Sequence, residues 1–170
     1  MKSTNGHKPY RVAIITASDK GSKGERKDES GNVIKELVET KGFIVAHYTI
    51  LPDEQYLLEQ EMMNIADEGL ADLILTTGGT GFSPRDRTPE ATIAIAERLV
   101  PGIPEVMRMQ SLSITKRSML SRAAAAIRKS TLIVNLPGSP KAVRENLLFI
   151  IDELEHGLDI LCENDGECAR

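Results

Sequence analysis

Twice in this chain a short apolar run ends in a glycine-bearing turn and is followed by a proline placed to open a helix. Residues 72–77 (Asp-Leu-Ile-Leu-Thr-Thr) lead into Gly78-Gly79-Thr80-Gly81 and on to Thr88-Pro89. Residues 131–136 (Thr-Leu-Ile-Val-Asn-Leu) lead into Pro137-Gly138-Ser139-Pro140. Apolar runs of this length between turn residues read as buried strands. A Thr or Ser ahead of a proline reads as an N-cap, with the proline at the first helical position, where its missing N–H goes unnoticed. Strand, turn and helix in repetition confine the chain to architectures in which helices cover a sheet.

The rest of the chain keeps this alternation. Residues 11–16 give a first strand through Val12-Ala13-Ile14-Ile15. Ser30 is a cap candidate for a helix carrying Val33, Ile34, Leu37 and Val38, which Gly42 stops. Residues 43–51 read as a second strand, and Pro52-Asp53 places Asp53 as N-cap of a helix over 54–68. The helix opened by Pro89 takes in Ile93, Ala94, Ile95 and Leu99 before Pro101-Gly102-Ile103-Pro104 breaks it. A further helix covers 105–113, residues 123–127 fit strand or helix, and a last helix runs over 140–161. The expected fold is α/β, a three-layer α/β/α sandwich with a mostly parallel, mixed central sheet. Sheets of this kind bind ligands in the crevice at the carboxyl ends of their strands. The polar loops after Thr16, Leu51, Thr77 and Leu136 would meet there. The expected organisation is a flexible segment over 1–9, one domain over 10–162 and a polar tail over 163–170.

Composition argues against several function classes. The net charge of −4 speaks against a general nucleic-acid surface. No apolar run approaches the ~18 residues of a membrane span. Residues 1–9 lack the apolar stretch of a secretory signal, so the cytoplasm is the expected compartment. Cys162 and Cys168 are the only cysteines; two cannot complete a structural zinc site, and they read as reduced thiols. His7, His47 and His156 are scattered without ligand spacing, and no Ser-His-Asp or Cys-His arrangement is visible.

The loops carry the polar chemistry. Thr77-Gly78-Gly79-Thr80-Gly81 offers backbone N–H groups and hydroxyls to phosphate oxygens. It lacks the lysine of the Walker A pattern and the spacing of the dinucleotide fingerprint, and the same residues would also serve a tight strand-to-helix connection. Asp53 and Asp86 fall just past predicted strand ends, so they could share one Mg²⁺ with substrate phosphates. A plain helix cap at Asp53, and at Asp86 a solvated acid paired with Arg85 or Arg87, are the alternatives. Pro137-Gly138-Ser139 at a helix start is a second anion site or an ordinary cap. The loop Ser18-Asp19-Lys20-Gly21, with Gly24, Asp28, Ser30 and Gly31, could close over a ligand or be a polar connection. Ser18, Lys20 and Arg122 are further candidates for anion contacts.

Thr76-Thr77-Gly78-Gly79-Thr80-Gly81, followed by Pro84-Arg85-Asp86 and Thr88-Pro89-Glu90-Ala91-Thr92, resembles the molybdopterin adenylyltransferase family, which includes the bacterial MogA and MoaB types and the G domain of gephyrin. Ser18-Asp19, Pro52-Asp53-Glu54, Met107-Arg108, Leu120-Ser121-Arg122 and Leu136-Pro137-Gly138-Ser139-Pro140-Lys141 agree in order, so the likeness spans nearly the whole chain. The resemblance implies an α/β/α sandwich, commonly a homotrimer. It implies transfer of AMP from ATP to the terminal phosphate of molybdopterin, with Mg²⁺ as the metal and a molybdenum-insertion protein as partner. Asp53 and Asp86 match the family's catalytic, metal-holding pair. Ser18, Thr77, Gly78, Gly79, Thr80, Gly81, Pro137, Gly138 and Ser139 match its substrate and nucleotide loops. A non-catalytic molybdopterin-binding or interaction module of the same fold is the alternative. Arg87 stands where the family often has valine, and Lys20 where it often has arginine.

Overall fold

The computed structural model describes residues 8–162; the expectations for His7, for Cys168 and for the ends of the chain at 1–7 and 163–170 lie outside these residues. In chain order the elements are β1 (Arg11–Ala17), α1 (Asp19–Ser22), α2 (Glu29–Thr40), β2 (Ile44–Leu51), α3 (Gln55–Asp67), β3 (Leu73–Thr77), α4 (Thr88–Ala94), β4 (Arg98–Leu99), α5 (Gly102–Leu112), a 3-10 turn (Lys116–Leu120), β5 (Ala125–Arg128), β6 (Thr131–Leu136) and α6 (Pro140–Leu161).

The strands form one six-stranded sheet in the order β2-β1-β3-β6-β5-β4. β2, β1, β3 and β6 run parallel, and β5 and β4 complete the sheet antiparallel to their neighbours. The mixed, mostly parallel sheet is the one expected. The chain leaves β1 for β2 on one side and returns to β3 on the other, which makes the gap between β1 and β3 a topological switch point. Register keeps the strand ends level there. Thr16 stands beside both Ile50 and Thr77, and Thr77 beside Leu136. Four loops therefore leave the sheet at one height.

Both faces of the sheet are covered at its centre, which explains why β1, β3 and β6 are buried along nearly their whole length, whereas the edge strand β2 is half-buried. Val12 and Ile14 of β1, Leu73 and Leu75 of β3, and Leu132, Val134 and Leu136 of β6 face one core, closed by Ile34, Leu37 and Val38 of α2 and by α6. α6 contributes Val143, Leu147, Ile150, Ile151, Leu154 and Leu158, a stripe at helical spacing. Ala13, Ile15, Ile74 and Ile133 point the other way, against Leu58, Met62 and Ile65 of α3 and Ala91 of α4. Burying each Val, Leu, Ile or Met side chain among these contributes about 1.5–3 kcal/mol.

A small polar cluster centred on Asn135 sits inside this second layer. Asn135, fully buried on β6, donates from Nδ2 to Thr76 Oγ1 (3.0 Å) and to Thr92 Oγ1 (2.8 Å), and its Oδ1 accepts from Ala124 N–H (3.1 Å). The amide thereby ties α4 to β3 and β6, and α4 starts immediately after the loop that carries Asp86.

Local expectations fail where long-range partners win. Asp28, not Ser30, caps α2: its Oδ1 accepts from Gly31 N–H (2.9 Å), while the Ser30 hydroxyl donates to the Gly138 carbonyl (2.8 Å). Glu54, not Asp53, is the cap residue of α3, and it makes no side-chain cap bond. Thr88 is the first residue of α4, with Arg87 at the cap. Leu99 does not extend α4. The helix stops at Ala94, and residues 97–100 pair with β5 through Glu97 N–H to Ile127 O (3.0 Å) and Val100 N–H to Ala125 O (2.8 Å). Of residues 123–127, Ala123 and Ala124 lie outside any element and the rest belong to the strand β5, and α5 begins at Gly102 with Pro104 in its first turn, so the Pro101–Pro104 stretch starts a helix rather than breaking one.

Candidate functional site

A cleft of about 250 Å³ opens at the carboxyl ends of β1 and β3, the switch point of the sheet. Thr77, Gly78 and Gly79 form one wall, Thr16 to Ser18 the opposite wall, and Gly138 and Pro140 a third side. Asp53 and Asp86 reach it from the loops after β2 and β3. Residues far apart in the chain converge here because the parallel strands end level.

Close approach explains the glycines. Gly78 has φ +90°, and a Cβ there would stand 2.4 Å from the Ala17 carbonyl oxygen at the end of β1. A Cβ on Gly79 would stand 2.3 Å from Thr88 Oγ1 and 3.4 Å from Asp53 Oδ1. The first-turn hydroxyl of α4, buried and without a hydrogen-bond partner among the described residues, occupies the space beneath the loop. Thr77 Oγ1 donates to the Pro137 carbonyl (2.7 Å), joining the glycine loop to the loop after β6.

The two acids are held by backbone, not by cations. Asp53 Oδ2 accepts from Asp19 N–H (2.9 Å), and Asp53 N–H donates back to Asp19 Oδ1 (3.0 Å). Asp86 Oδ2 accepts from Ser83 N–H (2.9 Å). The neighbouring guanidinium of Arg85 goes elsewhere, to Asp19 and Glu54. Burial pushes the Asp53 carboxyl up from its ordinary value, and the charges of Asp19 and Asp86 add to the rise. The Asp19 N–H and the Arg85 charge hold it back. Asp19 itself is lowered, first by the Arg85 bonds and then by the Asp53 N–H. Unneutralised negative charge facing a cleft, with one oxygen of each carboxylate free of hydrogen bonds, fits a hard divalent cation. Among the described residues no group of three or more acidic, His or Cys side chains could hold a metal unaided, so such an ion would need ligand oxygens or water to fill its shell.

A third acid lines the cleft under different control. Asp28 Oδ2 accepts from Thr16 Oγ1 (2.7 Å) and from Tyr48 Oη (2.5 Å). With burial first and the Asp28 carboxylate second, the Tyr48 phenol is pushed well above its usual range and stays a donor. Asp28 is thus committed to shaping the loop. Arg26 and Lys27 beside it also line the cleft, and neither has a partner among the described residues. These two cations are absent from the candidates that the sequence offers; the charge cluster Lys23-Gly24-Glu25-Arg26-Lys27 is the signal that points to them.

The remaining expected residues are divided. Ser18 caps α1, its Oγ accepting from Gly21 N–H (3.0 Å), and lines the cleft. Ser139 caps α6, accepting from Ala142 N–H (3.2 Å), and its hydroxyl lies outside the cleft. Thr80, Gly81 and Pro137 line a second cavity of about 280 Å³ on the other side of the glycine loop, bounded by Met107, Ser111 and Leu120. Arg122 is committed to partners within the protein. Its Nε and Nη2 donate to the Gly81 and Asp86 carbonyls (2.7 Å each), and Nη1 pairs with Glu90. It shapes the glycine loop rather than offering charge to a ligand. Lys20 does not line the cleft.

Known proteins share both this fold and this sequence pattern. Residues 13–156 match the family model described as a probable molybdopterin binding domain. A molybdopterin adenylyltransferase of Helicobacter pylori (strain J99) is 40% identical over 155 residues, covering 90% of this chain and 88% of that one. The crystal structure of the molybdopterin biosynthesis enzyme MoaB of Thermus thermophilus superposes with a TM-score of 0.84 at 47% identity, covering 89% of this chain and 96% of the other. The molybdopterin biosynthesis Mog protein of Mycobacterium ulcerans superposes with a TM-score of 0.85 at 34% identity, covering 92% and 99%.

Proposed function

The chain belongs to the family of probable molybdopterin binding domains, and from that membership we propose that it is a molybdopterin adenylyltransferase of molybdenum cofactor biosynthesis. In the proposed reaction a phosphate oxygen of molybdopterin forms a bond to the α-phosphorus of ATP. The bond from that phosphorus to the β-bridging oxygen breaks, and pyrophosphate leaves with the electron pair. The observation that carries the reading is the convergence of Asp53 and Asp86, bonded only to backbone N–H groups, on a cleft walled by Gly78 and Gly79.

The chemistry demands little from side chains. A phosphate monoester has its second pKa near ~6 and is mostly dianionic at neutral pH, so the nucleophile needs no general base. What it needs is alignment with a second polyanion and relief of charge. Backbone N–H groups of the glycine loop and the dipole end of α6 suit phosphate oxygens. Arg26 and Lys27 are free to meet the outer phosphates. Asp53 and Asp86 would hold Mg²⁺, which when bound supplies positive charge to non-bridging phosphate oxygens. The second cavity, across the glycine loop, gives room for the organic body of one substrate. The homotrimer, the cytoplasmic location, the domain over 10–162 and handover to a molybdenum-insertion protein belong to the same proposal. Among the described residues no helix is long and apolar enough to cross a membrane.

The test is incubation of the purified protein with ATP, Mg²⁺ and molybdopterin, monitored for adenylylated molybdopterin and pyrophosphate. Stoichiometric molybdopterin binding without either product would establish the non-catalytic module instead.

A further inference from the structure

We propose that Arg85 is a positioning residue: it staples the loops after β1, β2 and β3 into one rim and thereby fixes the direction in which Asp53 faces Asp86. The proposal rests on the adenylyltransferase reading for its kinetic consequences, but not for its geometry. Arg85 grips Asp19 with both branches of its fork, Nη2 to Oδ1 at 2.7 Å and Nε to Oδ2 at 3.1 Å, while Nη1 donates to Glu54 Oε1 at 2.6 Å. Asp19 follows β1, Glu54 follows β2, and Arg85 follows β3. One planar group therefore spans three loops.

The staple reaches Asp53 through Asp19. Asp19 and Asp53 exchange backbone-to-carboxylate bonds at 2.9 and 3.0 Å, so the orientation of Asp53 depends on where Asp19 is held. With Oδ2 committed to the Asp19 N–H, Oδ1 is left on the Gly79 side. Arg85 is the chain neighbour of Asp86, so the same anchor also limits how far Asp86 can drift from Asp53. Arg85 does not line the cleft and bonds to neither acid, so it acts only through them.

A lysine could not replace it. An ammonium is a point charge, whereas this arrangement uses three directed donors in a plane. Nor is the staple a device for global stability. Its side chains are 48%, 39% and 52% exposed, and pairs this exposed contribute little to unfolding free energy. A positioning role and a merely structural one therefore predict different data.

The experiment compares Arg85→Gln, Arg85→Lys and Arg85→Ala with the wild type in kcat, KM, thermal midpoint and Mn²⁺ affinity by electron paramagnetic resonance. Groups that orient metal-holding residues typically matter by about 10- to 100-fold. The expected result for Arg85→Gln is a fall in kcat and in Mn²⁺ affinity of about 10-fold or more, with KM for molybdopterin and the thermal midpoint close to wild type. Arg85→Lys should recover only part, and millimolar guanidinium ion should restore part of the activity of Arg85→Ala. Wild-type kcat and Mn²⁺ affinity in Arg85→Gln would overturn the proposal, and so would a loss of activity that merely tracks a lowered thermal midpoint. If the wild-type protein forms no product, the adenylyltransferase reading fails on its own, and the Mn²⁺ titration still decides the staple.

Discussion

Gly78 and Gly42 make a matched pair that isolates what the switch point demands. Both have nearly the same positive φ, +90° at Gly78 and +94° at Gly42. They differ in surroundings: a Cβ on Gly42 meets nothing within 4 Å, whereas a Cβ on Gly78 meets the Ala17 carbonyl oxygen at 2.4 Å. Alanine at either site pays the left-handed penalty of about 1–2 kcal/mol. Both changes also remove the same unfolded-state freedom of glycine, a term that cancels in the comparison. Only Gly78→Ala adds a collision, and it is with backbone at the end of β1, so no side chain can swing away. Forcing extra volume into such a site costs about 1–3 kcal/mol more. The expected totals are about 1–2 kcal/mol for Gly42→Ala and about 2–5 kcal/mol for Gly78→Ala. At this chain length 1 kcal/mol is worth about 3 °C, so calorimetry should show Gly78→Ala melting about 3–9 °C below Gly42→Ala. Equal midpoints would refute the reasoning. So would a crystal structure of Gly78→Ala in which the ends of β1 and β3 keep their separation.

Asp86→Asn should cut adenylyl transfer by more than about 100-fold while molybdopterin still binds; wild-type turnover would remove Asp86 from the proposed metal pair. Asn135→Leu removes the three hydrogen bonds that the amide makes with Ala124 N–H and with the buried Thr76 and Thr92 hydroxyls, and should cost about 3 kcal/mol in urea unfolding; a loss below about 1 kcal/mol would show that the amide is dispensable. Asp53→Asn should raise stability at neutral pH while activity falls, because burial holds the folded carboxyl above its ordinary value of 3.8 and the charged form is the one penalised. That gain should be full above the raised pKa and fade as pH falls toward 3.8, so a variant less stable than wild type at neutral pH would contradict it.

Periodicity and punctuation carried most of the fold into view. Residues 131–136 and 140–161 coincide with β6 and α6, because an apolar run and a Ser-Pro helix start are local signals that tertiary contacts here reinforce. Asp53 shows the limit. Next to Pro52 and a helix start it has the local signature of an N-cap, yet its carboxylate is taken by the Asp19 N–H, 34 residues away. Leu99 fits helical spacing from Ile95, but pairing with β5 ends the helix first. At the site, Asp53, Asp86 and the glycine loop were legible because acids and glycines beyond strand ends are unusual. The roles of Arg85, Asp28 and Arg122 were not. Each depends on partners brought together by strand order, and an arginine bound to carbonyls reads in sequence like one free for a ligand.

The site divides its labour by charge. The cleft wall presents Asp28, Glu29, Asp53 and Asp86 against Arg26 and Lys27, an acidic surplus that a phosphate dianion should avoid. Two unit charges 4 Å apart repel by about 1 kcal/mol in water and about 4 kcal/mol near a protein surface, enough to exclude a bare polyphosphate. The acids are not all equivalent, however. Asp28 is saturated by Thr16, Tyr48 and Gly31, whereas Asp53 and Asp86 each keep an oxygen without a hydrogen bond. Arg85, the chain neighbour of Asp86, is occupied by Asp19 and Glu54. In the proposed function, holding this cation off the two acids leaves Asp53 and Asp86 available to a divalent ion, which when bound would supply the positive charge that a phosphate-bearing substrate needs beside this wall. The uncharged glycine backbone would then select where phosphate sits, and the unpaired acids would admit it only as a metal complex.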